Sequence, residues 1–159
     1  MAAGVWALEQ PLDKALLASD YDDVELLGKA VTRRDGWYFA GLAWHLQNGA
    51  LFGAVYATVA PTVPLPPFVR GPVAGLAEHL LLWPLGAVVD RLHPARGELP
   101  RLWGNRRAFA QATVRHLLFG LVVGELERRV NAAPEVAPPP LEGDYSSNGH
   151  GSFEHALSA

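Results

Sequence analysis

The chain has no cysteine, which excludes a disulfide framework, a thiolate metal site and a thiol redox pair. Its net charge is only −3, and no basic patch is interleaved with aromatic residues, so nothing points to a nucleic-acid partner. It also lacks a helical HExxH motif, a nucleophile elbow and a phosphate-binding loop. Because no enzyme class has a motif here, we expect a non-enzymatic protein.

Charge is scarce in three windows, 37–60, 71–89 and 108–124, although 18% of the chain is charged. These windows of 24, 19 and 17 residues contain only Glu78 and Arg115 as charged residues. A helix on the surface of a soluble protein carries charge along its outer face, and about 20 apolar residues are needed to cross the hydrocarbon of a bilayer. The pattern therefore predicts an integral membrane protein whose main partner is the lipid bilayer.

The order of the segments predicts an all-α, multi-pass transmembrane bundle of about four helices in one domain, 1–130. We place spans at about 1–12, 37–60, 68–89 and 106–126, and interpret the first as truncated because it is too short to cross. A short amphipathic helix is predicted at about 20–31, with its acidic cluster facing water. The remainder, 131–159, is rich in proline and small polar residues, which predicts a disordered tail.

Lysine and arginine indicate the orientation of these spans. The loop 13–36 contains four and the loop 90–107 contains five. Cytoplasmic loops are enriched in these residues, so both loops are predicted to face the cytoplasm, in a bacterial cytoplasmic (inner) membrane.

Each complete span carries one histidine on a row of small residues at spacing four. Residues at that spacing share a helix face, and small residues there let helices approach closely in lipid. The histidines are therefore expected in helix contacts close to the middle of the bilayer. The histidines are His45, His79 and His116, and the predicted packing residues are Gly41, Gly49, Gly53, Gly75, Ala112, Gly120 and Gly124.

Arg115 is costly at the centre of a span, by about 3 kcal/mol on insertion scales. Glu78 is the predicted partner, because an ion pair inside the membrane offsets two desolvation costs together. The other histidines, among them His93, are expected to be solvated. The predicted intramembrane polar network comprises Glu9, His45, Glu78, His79, Arg115, His116 and Glu125.

Three functions fit this network. Its residues can hold together helices whose mutual affinity in lipid is weak. They can relay protons or conduct a small solute, because histidine and glutamate titrate within reach of physiological pH. Paired imidazoles can also bind a metal or haem. We favour the first function, with no cofactor, and leave open a second copy of the chain or another membrane protein as partner.

The chain resembles the YagU-like family of small bacterial inner-membrane proteins over about residues 4–131. The resemblance rests on four ordered matches: 6–12 (WALEQPL), His45 with Phe52, Tyr56 and 59–61, His79 with 84–85, and His116-Leu117 followed by Glu125, Arg128 and Arg129. Relatives have a fuller first helix, and they carry Pro-Pro-Arg where this chain has Asp13 and Lys14. The resemblance implies a helical inner-membrane protein and assigns no activity.

Overall fold

The computed structural model describes residues 14–131, and every element within that range is helical. The predicted first span with Glu9, and the predicted tail beyond Asn131, lie outside the described residues. A helical turn at 14–17 precedes the main elements. These are α1 (Asp23–Val31), α2 (Trp37–Val59), α3 (Pro67–Leu82), α4 (Gly86–Leu92) and α5 (Arg106–Val130), with 3-10 turns at Ala60–Thr62 and Trp83–Leu85.

Local sequence explains where the helices begin. The Asn105 side chain accepts hydrogen bonds from the backbone N–H groups of Arg107 and Ala108, as an N-cap does, so α5 starts where the sequence predicted. The amphipathic helix starts at Asp23, later than predicted, because the side chain of Asp22 accepts from the N–H of Glu25. The prolines of 61–66 interrupt the helix between α2 and α3 because proline lacks a backbone N–H, and α3 begins at Pro67, a first-turn position where proline is tolerated.

Helices α3 and α5 pack antiparallel through glycine. A Cβ atom added at Gly71 would lie 2.0 Å from the carbonyl oxygen of Gly120, and one added at Gly75 would lie 2.3 Å from that of His116. The other side of the contact is equally tight, since a Cβ on Gly124 would lie 2.8 Å from the carbonyl oxygen of Pro67. These two backbones are therefore closer than any side chain would permit, as the rows at spacing four predicted.

Helices α1 and α2 form a second close pair. A Cβ on Gly41 would lie 1.9 Å from the carbonyl oxygen of Val24, and one on Gly28 would lie 2.0 Å from that of Trp37. Val24 is buried, at 2% exposure, whereas Val31 at the end of the helix is 58% exposed. The short helix α1 thus packs against α2 through two glycines. Of these, Gly28 is not among the predicted packing residues.

Two predicted packing residues behave differently. Nothing lies within 4 Å of a Cβ placed on Gly53, so the prediction that Gly53 packs against another helix is wrong for the described part of the chain. Gly49 lines a cavity, described below. The row on α2 makes its backbone contact at Gly41, because α1 covers only the first part of that helix.

The two basic loops meet at one end of the bundle. Lys29 donates to Glu98 at 3.0 Å, and Arg33 also donates to Glu98. His93 is buried, and its Nε2 lies 3.0 Å from the carbonyl oxygen of Leu26 while its Nδ1 accepts from the N–H of Ala95. The prediction of a solvated His93 is therefore wrong, because the loop after α4 folds back onto α1.

The outer face of α2 to α5 is strongly apolar. The helical stretch Pro67–Leu92 is the one described helix long and apolar enough to cross a membrane, with mean hydropathy 1.4 in its best window, of which 17% is buried. A core helix of a soluble protein would be mostly buried, whereas this one has Leu81 at 77% exposure. We call ten of the exposed apolar residues on these helices and on the turn between α3 and α4 the apolar belt: Phe39, Leu51, Val55, Phe68, Leu80, Leu81, Leu85, Val88, Leu92 and Leu121.

Candidate functional site

A cavity of about 350 Å³ lies between the α1/α2 pair and the α3/α5 pair. Most of its wall is apolar, with leucines and aromatic rings from every side. Each of the helices α1, α2, α3 and α5 also contributes at least one polar side chain. The polar lining residues are Tyr21, Asp23, His45, Asn48, Glu78, His79, Arg115 and His116.

Arg115 forms its ion pair with Asp23 on α1, at 2.7 Å between Nη1 and Oδ2. The arginine side chain is 3% exposed and that of Asp23 is 20% exposed, so the pair is largely removed from solvent. The predicted pairing of Arg115 with Glu78 is wrong, and so is the solvated interpretation of Asp23. Because α1 packs against α2, the first turn of α1 lies beside Arg115, and Asp23 is therefore its ion-pair partner.

The backbone before α1 completes this contact. The carbonyl oxygen of Tyr21 accepts from Nε2 of Gln111 at 3.3 Å and from Nη2 of Arg115 at 3.5 Å. The guanidinium also lies 5.6 Å from the centre of the Tyr21 ring, within cation–π range. The contact between α5 and the start of α1 therefore involves three residues that are not in the predicted polar network: Asp23, Tyr21 and Gln111.

His79 links α3 to α5 in a defined tautomer. Its Nε2 lies 3.0 Å from Oγ1 of Thr113, and that hydroxyl donates its only proton to the carbonyl oxygen of Phe109 at 2.8 Å. The hydroxyl therefore accepts from His79, and Nε2 of His79 carries the hydrogen. At 2% exposure the imidazole is enclosed, with the rings of Trp83 and Phe109 at 5.3 and 4.9 Å between centroids.

His116 is the neighbour of His79, with ring centroids 4.9 Å apart. Its Nδ1 lies 2.7 Å from the carbonyl oxygen of Ala112, one turn earlier on α5. A carbonyl oxygen only accepts, so Nδ1 carries the hydrogen and Nε2 of the neutral ring is an acceptor. Ala112 is itself buried and lines the cavity, as its predicted place in a helix contact implies.

Glu78 is the carboxylate of the cavity that the described residues leave unpaired. Its side chain is partly buried and lines the cavity, and no residue within 14–131 makes a hydrogen bond or ion pair with it. The titratable group that acts on it through space is His116. His45, on the opposite wall, lies within electrostatic range of both Asp23 and His116.

Aromatic rings close the cavity toward the proline-rich turn. The rings of Phe52 and Phe119 lie 5.2 Å apart, and Phe52 stacks on Tyr56 at 6.2 Å. Beyond them Tyr56, Ala60 and Val123 form a buried apolar cluster. A buried apolar cluster therefore adjoins the cavity on the side of the proline-rich turn.

Five of the predicted network residues, His45, Glu78, His79, Arg115 and His116, line this cavity. Glu125 is not among its lining residues. It pairs at 2.8 and 2.6 Å with Arg128 and Arg129, which are three and four residues further along α5 and exposed. The prediction that Glu125 belongs to the network is wrong, because it lies three turns beyond Arg115 and finds partners on its own helix.

Within residues 14–131 no three or more histidine, aspartate or glutamate side chains are grouped as a metal site requires. The hydrogen on Nε2 of His79 is donated to Thr113, and that on Nδ1 of His116 to Ala112. Each ring therefore uses one of its two nitrogens in a contact within the helix bundle.

Comparison with protein-family models, curated proteins and solved structures finds no match. The resemblance to the YagU-like family therefore stays a prediction.

Proposed function

We propose that this chain is a multi-pass integral membrane protein whose polar residues hold the helices together around a pocket that binds a small molecule within the bilayer. Helices α2, α3 with α4, and α5 are its spans, and α1 enters the bundle between them. The observation that carries the proposal is the cavity itself, which is lined by ionisable groups of four helices and surrounded by the apolar belt.

Lipid accounts for the apolar belt better than water does. Soluble monomers rarely expose large contiguous apolar patches, whereas the apolar side chains of the belt are 46–77% exposed and would promote association in water. In lipid, helix affinity comes from close backbone packing and interhelical hydrogen bonds, which are the contacts that join α3 to α5 and α1 to α2.

The depth of α1 agrees with this arrangement. At about 1.5 Å per residue, Arg115 lies about 14 Å into α5, roughly half of a hydrocarbon core of about 30 Å. A non-spanning segment at that depth is tolerated only where protein surrounds it. The ion pair of Asp23 with Arg115 and the glycine contacts with α2 supply such surroundings.

A binding pocket fits the geometry better than a conducting path. A path needs polar groups at successive depths across the membrane, whereas toward the proline-rich turn the cavity is lined by Phe52 and Phe119, with the buried cluster of Tyr56, Ala60 and Val123 packed against them. Purified protein in liposomes is therefore expected to show no flux driven by a pH gradient.

Sedimentation of expressed protein with membranes, before and after an alkaline carbonate wash, tests membrane integration. We expect the chain to stay in the pellet after the wash and to require detergent for release. A chain that remains in the supernatant after membranes are removed would contradict the proposal. A pH-gradient flux abolished by Glu78→Gln would instead favour the conducting function.

A further inference from the structure

The charges that line the cavity do not balance. Asp23 and Arg115 pair at 2.7 Å, while the carboxylate of Glu78 makes no ion pair among the described residues and has the imidazole of His116 as its titratable neighbour. A carboxylate held in a largely apolar cavity is costly unless a proton or a cation accompanies it. Glu78 is therefore the position at which a bound molecule gains most by carrying positive charge.

The remaining polar groups favour a hydrogen-bond donor. His116 donates through Nδ1 to its own helix, so its Nε2 can only accept while the ring is neutral. The one cationic side chain, Arg115, is already held by Asp23 and Tyr21. A ligand with N–H donors can bond to the cavity, whereas an anion would meet Glu78.

The rest of the wall is suited to an apolar body. Leu82, Leu85, Trp83, Phe52 and Phe119 line the cavity on several sides. Aromatic faces attract cations as well as apolar groups. The cavity, at about 350 Å³, lies in the size range of small-molecule sites and is too small for a folded partner.

From this charge balance we infer that the cavity binds a compact apolar amine in its protonated form, with Glu78 as the counter-ion. This inference rests on the proposed membrane-embedded binding function and names its ligand class. The aliphatic ammonium group would contact the carboxylate, and the hydrocarbon body would fill the aromatic wall.

Two probes of equal shape test the role of charge. 1-Adamantylamine is protonated at pH 7, and 1-adamantanol has the same hydrocarbon cage without charge. Their dissociation constants are measured by calorimetry on the full chain in phosphatidylcholine nanodiscs, with empty nanodiscs subtracted for partitioning into lipid. We expect the amine to bind about tenfold more tightly than the alcohol, or better, as a hydrogen bond to a charged group implies.

Three variants assign the effect to Glu78. Glu78→Gln should reduce the affinity for the amine to that for the alcohol, and Glu78→Asp should retain the preference. Glu127→Gln, on α5 outside this cavity, should leave both affinities unchanged. If Glu78→Gln fails to fold, the comparison of the two probes on the unaltered chain decides whether the cavity prefers a charged ligand.

Equal affinities for amine and alcohol on the unaltered chain would overturn the inference, as would an amine preference that survives Glu78→Gln. Failure of the membrane proposal would be seen separately, as protein in the supernatant of the sedimentation assay. The two probes would then be compared in buffer, with the same outcomes.

Discussion

Arg115 shows how a single residue constrains the fold. It is 2% exposed and its charge is balanced from α1, a helix of only nine residues. Breaking a buried ion pair by removing one partner is far more damaging than replacing both, because the remaining charge stays buried. The contact therefore fixes α1 in place and forms one wall of the cavity.

Asp23→Asn is expected to lower the free energy of unfolding in detergent by about 3 kcal/mol or more, since it leaves the guanidinium without its counter-charge. Asp20→Asn is the matched control, because Asp20 is exposed, three residues away. Denaturant titration followed by helical circular dichroism measures both. Equal stability of the two variants would contradict the structural role of the pair, and the double variant Asp23→Leu/Arg115→Met should recover most of the loss.

The sequence identified Arg115 as a buried charge but not its partner. The cost of an arginine in an apolar window is visible from composition alone, whereas the depth of α1 depends on glycine contacts between distant segments. Asp23 stands among other acidic residues, and nothing in its spacing separates it from a solvated face. The sequence does show that a buried Arg115 needs a carboxylate partner. It does not distinguish Glu78 from Asp23 as that partner.

At the scale of elements, glycines set the helix pairs. Gly120→Ala is expected to destabilise the protein by about 1–3 kcal/mol, as overpacking does, because its Cβ would lie 2.2 Å from the carbonyl oxygen of Gly71. Gly53→Ala should instead be neutral or stabilise by up to about 1 kcal/mol, since its Cβ meets open space and alanine favours a helix. Thermal unfolding in one detergent compares them, and a Gly120→Ala variant as stable as Gly53→Ala would refute the close contact.

The charge-poor windows and the helix-capping residues of the sequence predicted the ends of α2 and α5 to within a few residues. Which glycines make contact could not be predicted, because spacing four marks a face but not whether another helix covers it. Gly53 lies on the same row as Gly41 and still faces open space. Coverage depends on where α1 ends, which is a property of tertiary packing.

The contact between α1 and the loop after α4 gives a pH dependence. Hydrogen bonds from Lys29 and Arg33 lower the pKa of Glu98 below its ordinary value. A carboxyl group with a depressed folded-state pKa stabilises the fold above its unfolded pKa, and this contribution is lost as pH falls through the folded value.

The melting temperature of the wild type should therefore exceed that of Glu98→Gln at pH 7, by a small margin because the pair is exposed. The margin should vanish as the pH falls from about 5 to about 3. Glu127→Gln, at the opposite end of the bundle, serves as control. A margin that is unchanged at acidic pH would show that Glu98 does not act through its charge.

For the whole molecule, the central question is what surrounds the apolar belt. The belt follows the outer face of α2 to α5, while the charged loops meet at one end and the ion pairs of Glu125 lie toward the other. An apolar band between two polar ends is the distribution that the proposed membrane integration requires.

The absence of cysteine permits the most direct measurement. Single substitutions Leu81→Cys, in the belt at 77% exposure, and Gly97→Cys, in the exposed loop, are reacted with a water-soluble maleimide in opened membranes. We predict that Gly97→Cys is labelled promptly and that Leu81→Cys reacts only after denaturation, because lipid covers it. Labelling of Leu81→Cys as fast as that of Gly97→Cys would show that water surrounds the belt, and the proposed membrane integration would then be wrong.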